Sequence, residues 1–230
     1  MKILALIPAR GGSKRLPNKN LLPLGGKPLI TWSIETAKDI PEIVDILVST
    51  DCEKIASVAK TAGACVPWLR PSHLATDTAS SIDVCMHGLD WYLENREKVD
   101  GLLLLQPTSP FRTRETIKKA MKIFSKYPNS AVVSFSAAES HPYWCFRPTE
   151  GKMIPFLSDA FSLETRSQDL PEAYVINGSL YLSSPDYLKT HLSFFGADVK
   201  PIFIDNRTES IDIDTQWDFF IATSVLSSRN

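Results

Sequence analysis

Short, uninterrupted apolar runs constrain this chain more than any other feature. Ile3-Leu4-Ala5-Leu6-Ile7 lies between Lys2 and Pro8, and similar runs occupy residues 44–50, 101–105 and 131–135. A run of this length without polar alternation reads as a strand covered on both faces, which requires helices above and below it. The intervening segments supply them. Leu29, Ile30, Trp32, Ile34 and Ala37 form one apolar face behind Pro28. Ile55, Val58, Ala59 and Ala62 follow Asp51, a candidate cap, and stop at Gly63. Ile82, Cys85, Met86, Leu89 and Leu93 follow Ser80, and Ile117, Ala120, Met121 and Phe124 follow Thr113. Further strands are expected at 64–66, 177–182 and 201–205, and a closing helix from Thr215 carries Trp217, Phe220, Ile221, Ser224 and Val225. The alternation predicts one α/β domain over residues 1–230, with a mostly parallel sheet and helices on both faces. Such sheets bind ligands beyond the carboxyl ends of their strands, so the loops after Ile7, Thr50, Leu105 and Ile204 are the places to look.

One stretch breaks the pattern. Residues 139–175 hold Pro142, Pro148, Pro155 and Pro171 together with Tyr143, Trp144, Phe146, Phe156 and Phe161. Large apolar side chains on an irregular segment need a surface to cover them. The expectation is an arm that docks on a second subunit; the alternative is a lobe packed on its own chain.

Composition removes several function classes. With 43% hydrophobic and 22% charged residues and a formal net charge of -1, the chain reads as a soluble globular protein without a dominant nucleic-acid or membrane-surface role. No apolar run reaches membrane-spanning length. The first is too short for a signal peptide and leads into Pro8-Ala9-Arg10-Gly11-Gly12 rather than a small-residue cleavage site. Cys52, Cys65, Cys85 and Cys145 are dispersed, without zinc or disulfide spacing, so reduced thiols in the cytoplasm are expected. Charge itself is uneven. Residues 1–34 carry Lys2, Arg10, Lys14, Arg15, Lys19 and Lys27 and no acid, whereas residues 205–218 carry Asp205, Glu209, Asp212, Asp214 and Asp218 against Arg207 alone. A basic loop and an acidic loop in one small domain suit a phosphate ligand and its metal ion.

The basic loop runs Ala9-Arg10-Gly11-Gly12-Ser13-Lys14-Arg15-Leu16-Pro17-Asn18-Lys19-Asn20. Paired glycines let backbone N–H groups approach an anion, and Arg10, Lys14 and Lys19 can surround a triphosphate. It is neither a P-loop nor a dinucleotide fingerprint, and a Gly-Gly turn among lysines can also be a solvated turn. Asp212 and Asp214, two residues apart, fall on one side of an extended segment, as a Mg²⁺ site needs; alternatively Asp214 caps the last helix with Thr215. Gln106 ends the Leu-rich run, where it points into the cleft or satisfies loop backbone.

Four strings, in order and spanning most of the chain, carry a resemblance. Ile7-Pro8-Ala9-Arg10-Gly11-Gly12-Ser13-Lys14 with Lys19-Asn20 resembles the nucleotide-binding signature of the acylneuraminate cytidylyltransferases, the CMP-sialic acid synthetases and their relatives. Arg70-Pro71 with Leu74-Ala75-x-Asp77-x-x-Ser80-Ser81, Leu105-Gln106-Pro107-Thr108-Ser109-Pro110-Phe111-Arg112, and Ser210-Ile211-Asp212-Ile213-Asp214-Thr215 are similar to the family's other strings. The resemblance implies a Rossmann-like nucleotide-sugar transferase core with a small dimerisation arm, here residues 139–175. It implies transfer of CMP from CTP to a nonulosonic acid, with pyrophosphate released. Arg10, Ser13, Lys14, Asn20, Arg70 and Ser81 would hold CTP, and backbone near residues 6–9 would read cytosine. Lys19, with Arg10 and Lys14, would neutralise the leaving pyrophosphate, and Asp212 and Asp214 would bind Mg²⁺. Gln106, Arg166, Asn177, Tyr181, Phe194 and Phe195 would contact the sugar, although a Phe-Phe pair is also an ordinary core element.

The chain departs from that pattern at Ser167, where an Arg-Arg-Gln-x-Leu-Pro string would have its second Arg, and at Trp144, near a substrate-facing Lys of some members. Both lie in the sugar half, so they bear on which sugar is used. Three alternatives stand beside this reading: a 3-deoxy-manno-octulosonate cytidylyltransferase, a dimeric nucleotide-binding module without catalysis, and a sugar-1-phosphate nucleotidyltransferase of related fold.

Overall fold

The computed structural model describes residues 1–157, 165–196 and 198–228. In chain order the elements are β1 (Ile3–Pro8), β2 (Pro23–Leu24), β3 (Lys27–Pro28), α1 (Leu29–Ala37), β4 (Ile43–Ser49), α2 (Glu53–Thr61), α3 (Ser81–Asn95), β5 (Gly101–Leu104), α4 (Arg114–Lys126), β6 (Ala131–Ala137), β7 (Phe146–Thr149), β8 (Lys152–Pro155), β9 (Tyr174–Ser183), α5 (Pro185–His191), β10 (Val199–Phe203) and α6 (Gln216–Ser227). Residues 64–66, expected as a strand, contribute a single parallel bridge between Cys65 and Leu47.

The main sheet has the order β10-β6-β9-β5-β1-β4. β1 runs parallel to β4 and β5, and β10 runs parallel to β6. β9 is antiparallel to both of its neighbours, β5 and β6. The α/β class and the mostly parallel sheet are as the apolar runs predict. β9 starts beside the end of β6, with Tyr174 opposite Ala137, and so runs back along that strand.

Alternate residues of β1 divide the core. Ile3, Ala5 and Ile7 pack in one buried cluster with Ile30 and Ile34 of α1, Ile55 and Ala59 of α2, and Ile117 and Phe124 of α4. Leu4 and Leu6 pack on the other face with Cys85, Leu89 and Tyr92 of α3 and Leu188 of α5. Two packed layers of helix leave only the strand ends and their loops for chemistry.

A third, smaller cluster matters more for function. Leu16 from the basic loop, Leu24, Leu29, Phe111, Ile213 and Ala222 bury one another, with Trp32 and Leu226 packed against them. Ile213 is the residue between Asp212 and Asp214. Burying Leu16 and Ile213 together therefore brings the basic loop and the carboxylate pair side by side, at about 1.5–3 kcal/mol for each fully buried side chain.

Beyond the sheet, β7 and β8 form an antiparallel hairpin. Trp144, Phe146, Met153, Ile154, Phe156 and Leu157 on and around it are all exposed, as are Tyr174, Val175 and Ile176 at the start of β9. Phe161 lies outside the described residues. Among the described residues of this segment, most large apolar side chains are therefore exposed.

Candidate active site

A cavity of about 370 Å³ opens at the carboxyl ends of the strands. Its walls include Arg10, Ser13, Lys14, Lys19 and Asn20 of the basic loop, Arg70 and Ser81, Gln106 and Thr108 after β5, and Asp212 and Asp214 before α6. Segments far apart in the chain thus meet in one cleft of ordinary ligand-site size.

The basic loop is shaped by its own polar side chains. Asn20, buried, donates from Nδ2 to the Arg10 carbonyl at 2.9 Å and closes the loop across its base. Gly11 donates its backbone N–H to Oδ1 of Asp51 at 2.8 Å. A side chain at position 11 would meet Cβ of Cys52 at 3.0 Å, so a glycine is what lets the loop approach β4 this closely. Asp51 therefore does not cap α2, as its position suggested; Cys52 is the N-cap, without a side-chain bond. Asp51→Ala is expected to weaken CTP binding about tenfold, the value of one hydrogen bond to a charged acceptor. Calorimetric titration with CTP checks this, and unchanged affinity would show that the loop keeps its shape without the contact.

With no acids of its own, the loop takes its counter-ions from elsewhere. Asp77 pairs with Arg10 at 2.8 Å and with Lys14 at 2.5 Å, and hydrogen bonds from those two cations, Lys14 first, hold its carboxyl below the usual range. Asp214 pairs with Lys19 at 2.7 Å and with Arg15 at 2.5 Å. Burial works to raise the Asp214 carboxyl, but Lys19 and then Arg15 pull it below its ordinary value. Asp212 moves the opposite way: burial raises it and the neighbouring Asp214 adds to the rise, against a hydrogen bond from Thr108. Adjacent carboxylates with opposed shifts are typical of functional sites.

The helix that follows does not use Asp214 as its cap. Thr215 Oγ1 accepts from the Asp218 backbone at 3.3 Å, and Asp218 Oδ2 accepts from the Thr215 backbone at 2.7 Å, a complete capping box. Both carboxylates of the pair are thereby left to line the cleft. Among the described residues no group of three or more His, Cys, Asp or Glu could hold a metal ion. Two carboxylates beside cations placed for phosphate match Mg²⁺, which takes one or two protein carboxylates and fills its shell with phosphate oxygens and water.

Arg70 lines the cavity, yet its guanidinium is committed to the protein. Nε donates to Ser49 Oγ at 2.9 Å, Nη1 to the Leu74 carbonyl at 3.4 Å, and Nη2 to the Ser49 carbonyl. Burial lowers its pKa to about 10, so it remains a cation and contributes charge more than free donors.

A second cavity of about 220 Å³ adjoins the first and shares Ser81 and Gln106 with it. Apart from Ser193 its other walls are apolar, including Ile82, Leu104, Tyr181, Phe194 and Phe195. Tyr181 packs against both phenylalanines, at centroid distances of 5.3 and 6.1 Å. Phe194 is buried and Phe195 is exposed, so the pair joins the core through one ring and offers the other to the cavity.

Two residues expected in the sugar site line neither cavity. Asn177 is buried in β9, where Oδ1 accepts from Ser134 Oγ at 2.6 Å and from the Ser179 backbone at 3.1 Å, and Nδ2 donates to Ser136 Oγ at 2.7 Å. Its amide is occupied in bracing the sheet. Arg166 is exposed, pairs with Asp169 at 2.8 Å and lines neither cavity. Conversely, sequence reasoning assigns no individual site role to Asp51 or Glu209, nor to Asp77 and Thr108, although those two stand in the strings that carry the resemblance. Glu209, buried, accepts from the Thr113 backbone at 3.0 Å and stands beside the site as a buried acid.

Comparison with known proteins identifies the family. The sequence pattern of the family described as Cytidylyltransferase matches residues 4–143. The chain is 41% identical over 228 residues to CMP-N,N'-diacetyllegionaminic acid synthase of Legionella pneumophila subsp. pneumophila, covering 98% of this chain and 97% of that protein. It is 33% identical over 230 residues to N-acylneuraminate cytidylyltransferase of Escherichia coli O18:K1:H7, covering 100% of this chain and 53% of that protein. Among solved structures, CMP:2-keto-3-deoxy-manno-octonic acid synthetase complexed with CTP superposes with a TM-score of 0.72 at 16% identity, covering all of both chains, a likeness of fold.

Proposed function

The chain belongs to the cytidylyltransferase family, and on that premise we propose that it joins CMP from CTP to the anomeric hydroxyl of a nonulosonic acid, releasing pyrophosphate. The observation that carries this reading is the shared cleft: the basic loop and the carboxylate pair, tied by Leu16 and Ile213, face one cavity, and an apolar cavity adjoins it across Gln106 and Ser81.

The anomeric oxygen attacks the α-phosphorus in line as the bond to pyrophosphate breaks. Arg10 and Lys14 exchange the carboxylate of Asp77 for phosphate oxygens, and Lys19 meets the charge that develops on the leaving group. Positioning and fixed charge supply most of the acceleration, and no covalent nucleophile is required. Asp212 and Asp214 would hold Mg²⁺, which when bound polarises the α-phosphate. Such a reaction belongs to the cytoplasm, where CTP is made. Cys52, Cys65, Cys85 and Cys145 carry free thiols, and no helix among the described residues is long and apolar enough to cross a membrane.

The acceptor follows from the second cavity. Tyr181, Phe194 and Phe195 suit the methyl end of an acylamino group, which the related proteins' substrates, diacetyllegionaminic acid and acylneuraminic acid, carry by name. 3-Deoxy-manno-octulosonic acid has no such group. A pyrophosphate-release assay with CTP, Mg²⁺ and N,N'-diacetyllegionaminic, N-acetylneuraminic, pseudaminic or 3-deoxy-manno-octulosonic acid separates these acceptors. At least one acylamino sugar should exceed the octulosonate by about tenfold or more in kcat/KM, the scale of one filled apolar subsite. Equal or better turnover of the octulosonate would overturn the assignment.

The arm at residues 139–175 completes the proposal: its exposed aromatics dock on a second copy to form a homodimer. Met153 on β8 and Phe156 just after it are 64% and 66% exposed. Glutamate at both positions should halve the mass found by light scattering without lowering the unfolding temperature. An unchanged mass would place the subunit contact elsewhere.

A further inference from the structure

Gln106 stands between the two cavities, and the structure shows how it is kept there. Its backbone carbonyl accepts from Arg112 Nη2 at 2.9 Å and from Ser33 Oγ at 3.3 Å. Its side chain rests on Gly178 of β9: a Cβ at that position would lie 2.7 Å from Gln106 Oε1. Gly178 has φ of +73°, so both the backbone and the space there favour glycine. The seat is held as firmly as its occupant. Arg112 Nε donates to the carbonyl of Ser179, the next residue of β9, at 2.5 Å, while Nη1 donates to Ser33 Oγ at 3.2 Å.

One guanidinium thus ties three elements: the loop after β5 through Gln106, β9 through Ser179, and α1 through Ser33. Arg112 is 3% exposed, and a cation buried this far is costly unless its donors are used and its charge is answered. The three nitrogens each have an acceptor, and Glu209 and Asp212 provide the nearby negative charge. Replacing it alone by an apolar side chain would take a donor from two backbone carbonyls and a counter-charge from Glu209. What a planar fork adds is a set distance between two backbone carbonyls.

We propose that Arg112 is a positioning residue for the acceptor sugar, setting Gln106 against Gly178 so that its amide meets the sugar at a defined place relative to the nucleotide. This rests on the acceptor reading above, which puts the sugar at Gln106. The consequence is a division of effects. CTP is held by the basic loop, to which Arg112 makes no bond, so disturbing Arg112 should leave CTP binding alone and damage use of the sugar.

Steady-state kinetics with the best acylamino acceptor, together with calorimetric titration of CTP, test this on Arg112→Lys, Gln106→Ala and the double variant. Lysine keeps the charge but cannot span both carbonyls. Arg112→Lys should lower kcat/KM for the sugar about a hundredfold, the cost of misplacing a contact by an ångström, with CTP affinity unchanged. In the Gln106→Ala background the same substitution should add little, because both remove one function. If Arg112→Lys does not fold, Ser33→Ala, which takes a donor from the Gln106 carbonyl and an acceptor from Arg112, is read in its place. Losses that multiply in the double variant, or a CTP affinity that falls in step with sugar turnover, would overturn the inference while leaving the reaction intact. A wild-type enzyme that turns over no acylamino nonulosonic acid would instead overturn the acceptor reading, and this inference with it.

Discussion

Alanine at Asp212 or at Asp214 is expected to lower kcat for CMP transfer by about a thousandfold or more, the scale of losing a principal electrostatic contact in phosphoryl chemistry. Folding should be little affected. Asp214 is not the cap of α6, a role filled by Thr215 and Asp218, so its removal leaves that helix end intact. Asp212 is a carboxyl whose pKa burial raises, so the fold on balance disfavours its charge, and Glu209 remains to answer the buried Arg112 when Asp212 is removed. Ile213, which anchors the segment in the cluster with Leu16, is untouched by either change. The two variants should also differ. Asp214→Ala releases Arg15 and Lys19 from their shared partner, so CTP without Mg²⁺ should bind it at least as well as wild type. Asp212→Ala has no such compensation. Rates measured across a Mg²⁺ titration, with thermal unfolding alongside, check both statements. Normal turnover by both variants would remove the metal assignment.

The second large effect is expected at Lys19. Its side chain is 13% exposed and bonded to Asp214 at 2.7 Å, whereas Lys14 is a far more exposed point charge. A cation screened from water is worth more to a developing charge than an exposed one. Lys19→Met should therefore lower kcat by about a hundred- to a thousandfold, and Lys14→Met should cost mainly CTP affinity. Lys19→Arg should restore part of the rate. The kinetic pattern decides the role: a raised KM for CTP with kcat retained would make Lys19 a uniform binding group and not a stabiliser of the leaving pyrophosphate.

Much of this was legible because local and global signals coincide. The apolar runs at β1, β4, β5 and β6 mark strands that helices cover on both sides, and Ser80, Thr113 and Thr215 each cap the helix that follows them. The residues of the cleft were found through motif order, and ten of them line one cavity. What stayed hidden has a common cause, which is that a polar side chain's partner cannot be told from its own neighbourhood. Asp51 sits where a cap belongs, but Gly11, far back in the chain, takes its carboxylate. Asn177 lies in a string suited to a sugar site, but Ser134 and Ser136 on the next strand take its amide. The direction of β9 was equally hidden, since an apolar run carries no polarity. Asp77 left a faint trace in the missing acids of the basic loop: four cations need answering charge, and it has to come from elsewhere.

The central claim is that the basic loop and the carboxylate pair act on one nucleotide and its ion. A crystal grown with CTP and Mn²⁺ in place of Mg²⁺, with anomalous scattering recorded for the metal, tests it most directly. That crystal should hold a triphosphate within hydrogen-bonding reach of Arg10, Lys14 and Lys19, and manganese beside Asp212 and Asp214. A nucleotide bound without contact to residues 10–20, or manganese on other ligands, would contradict it.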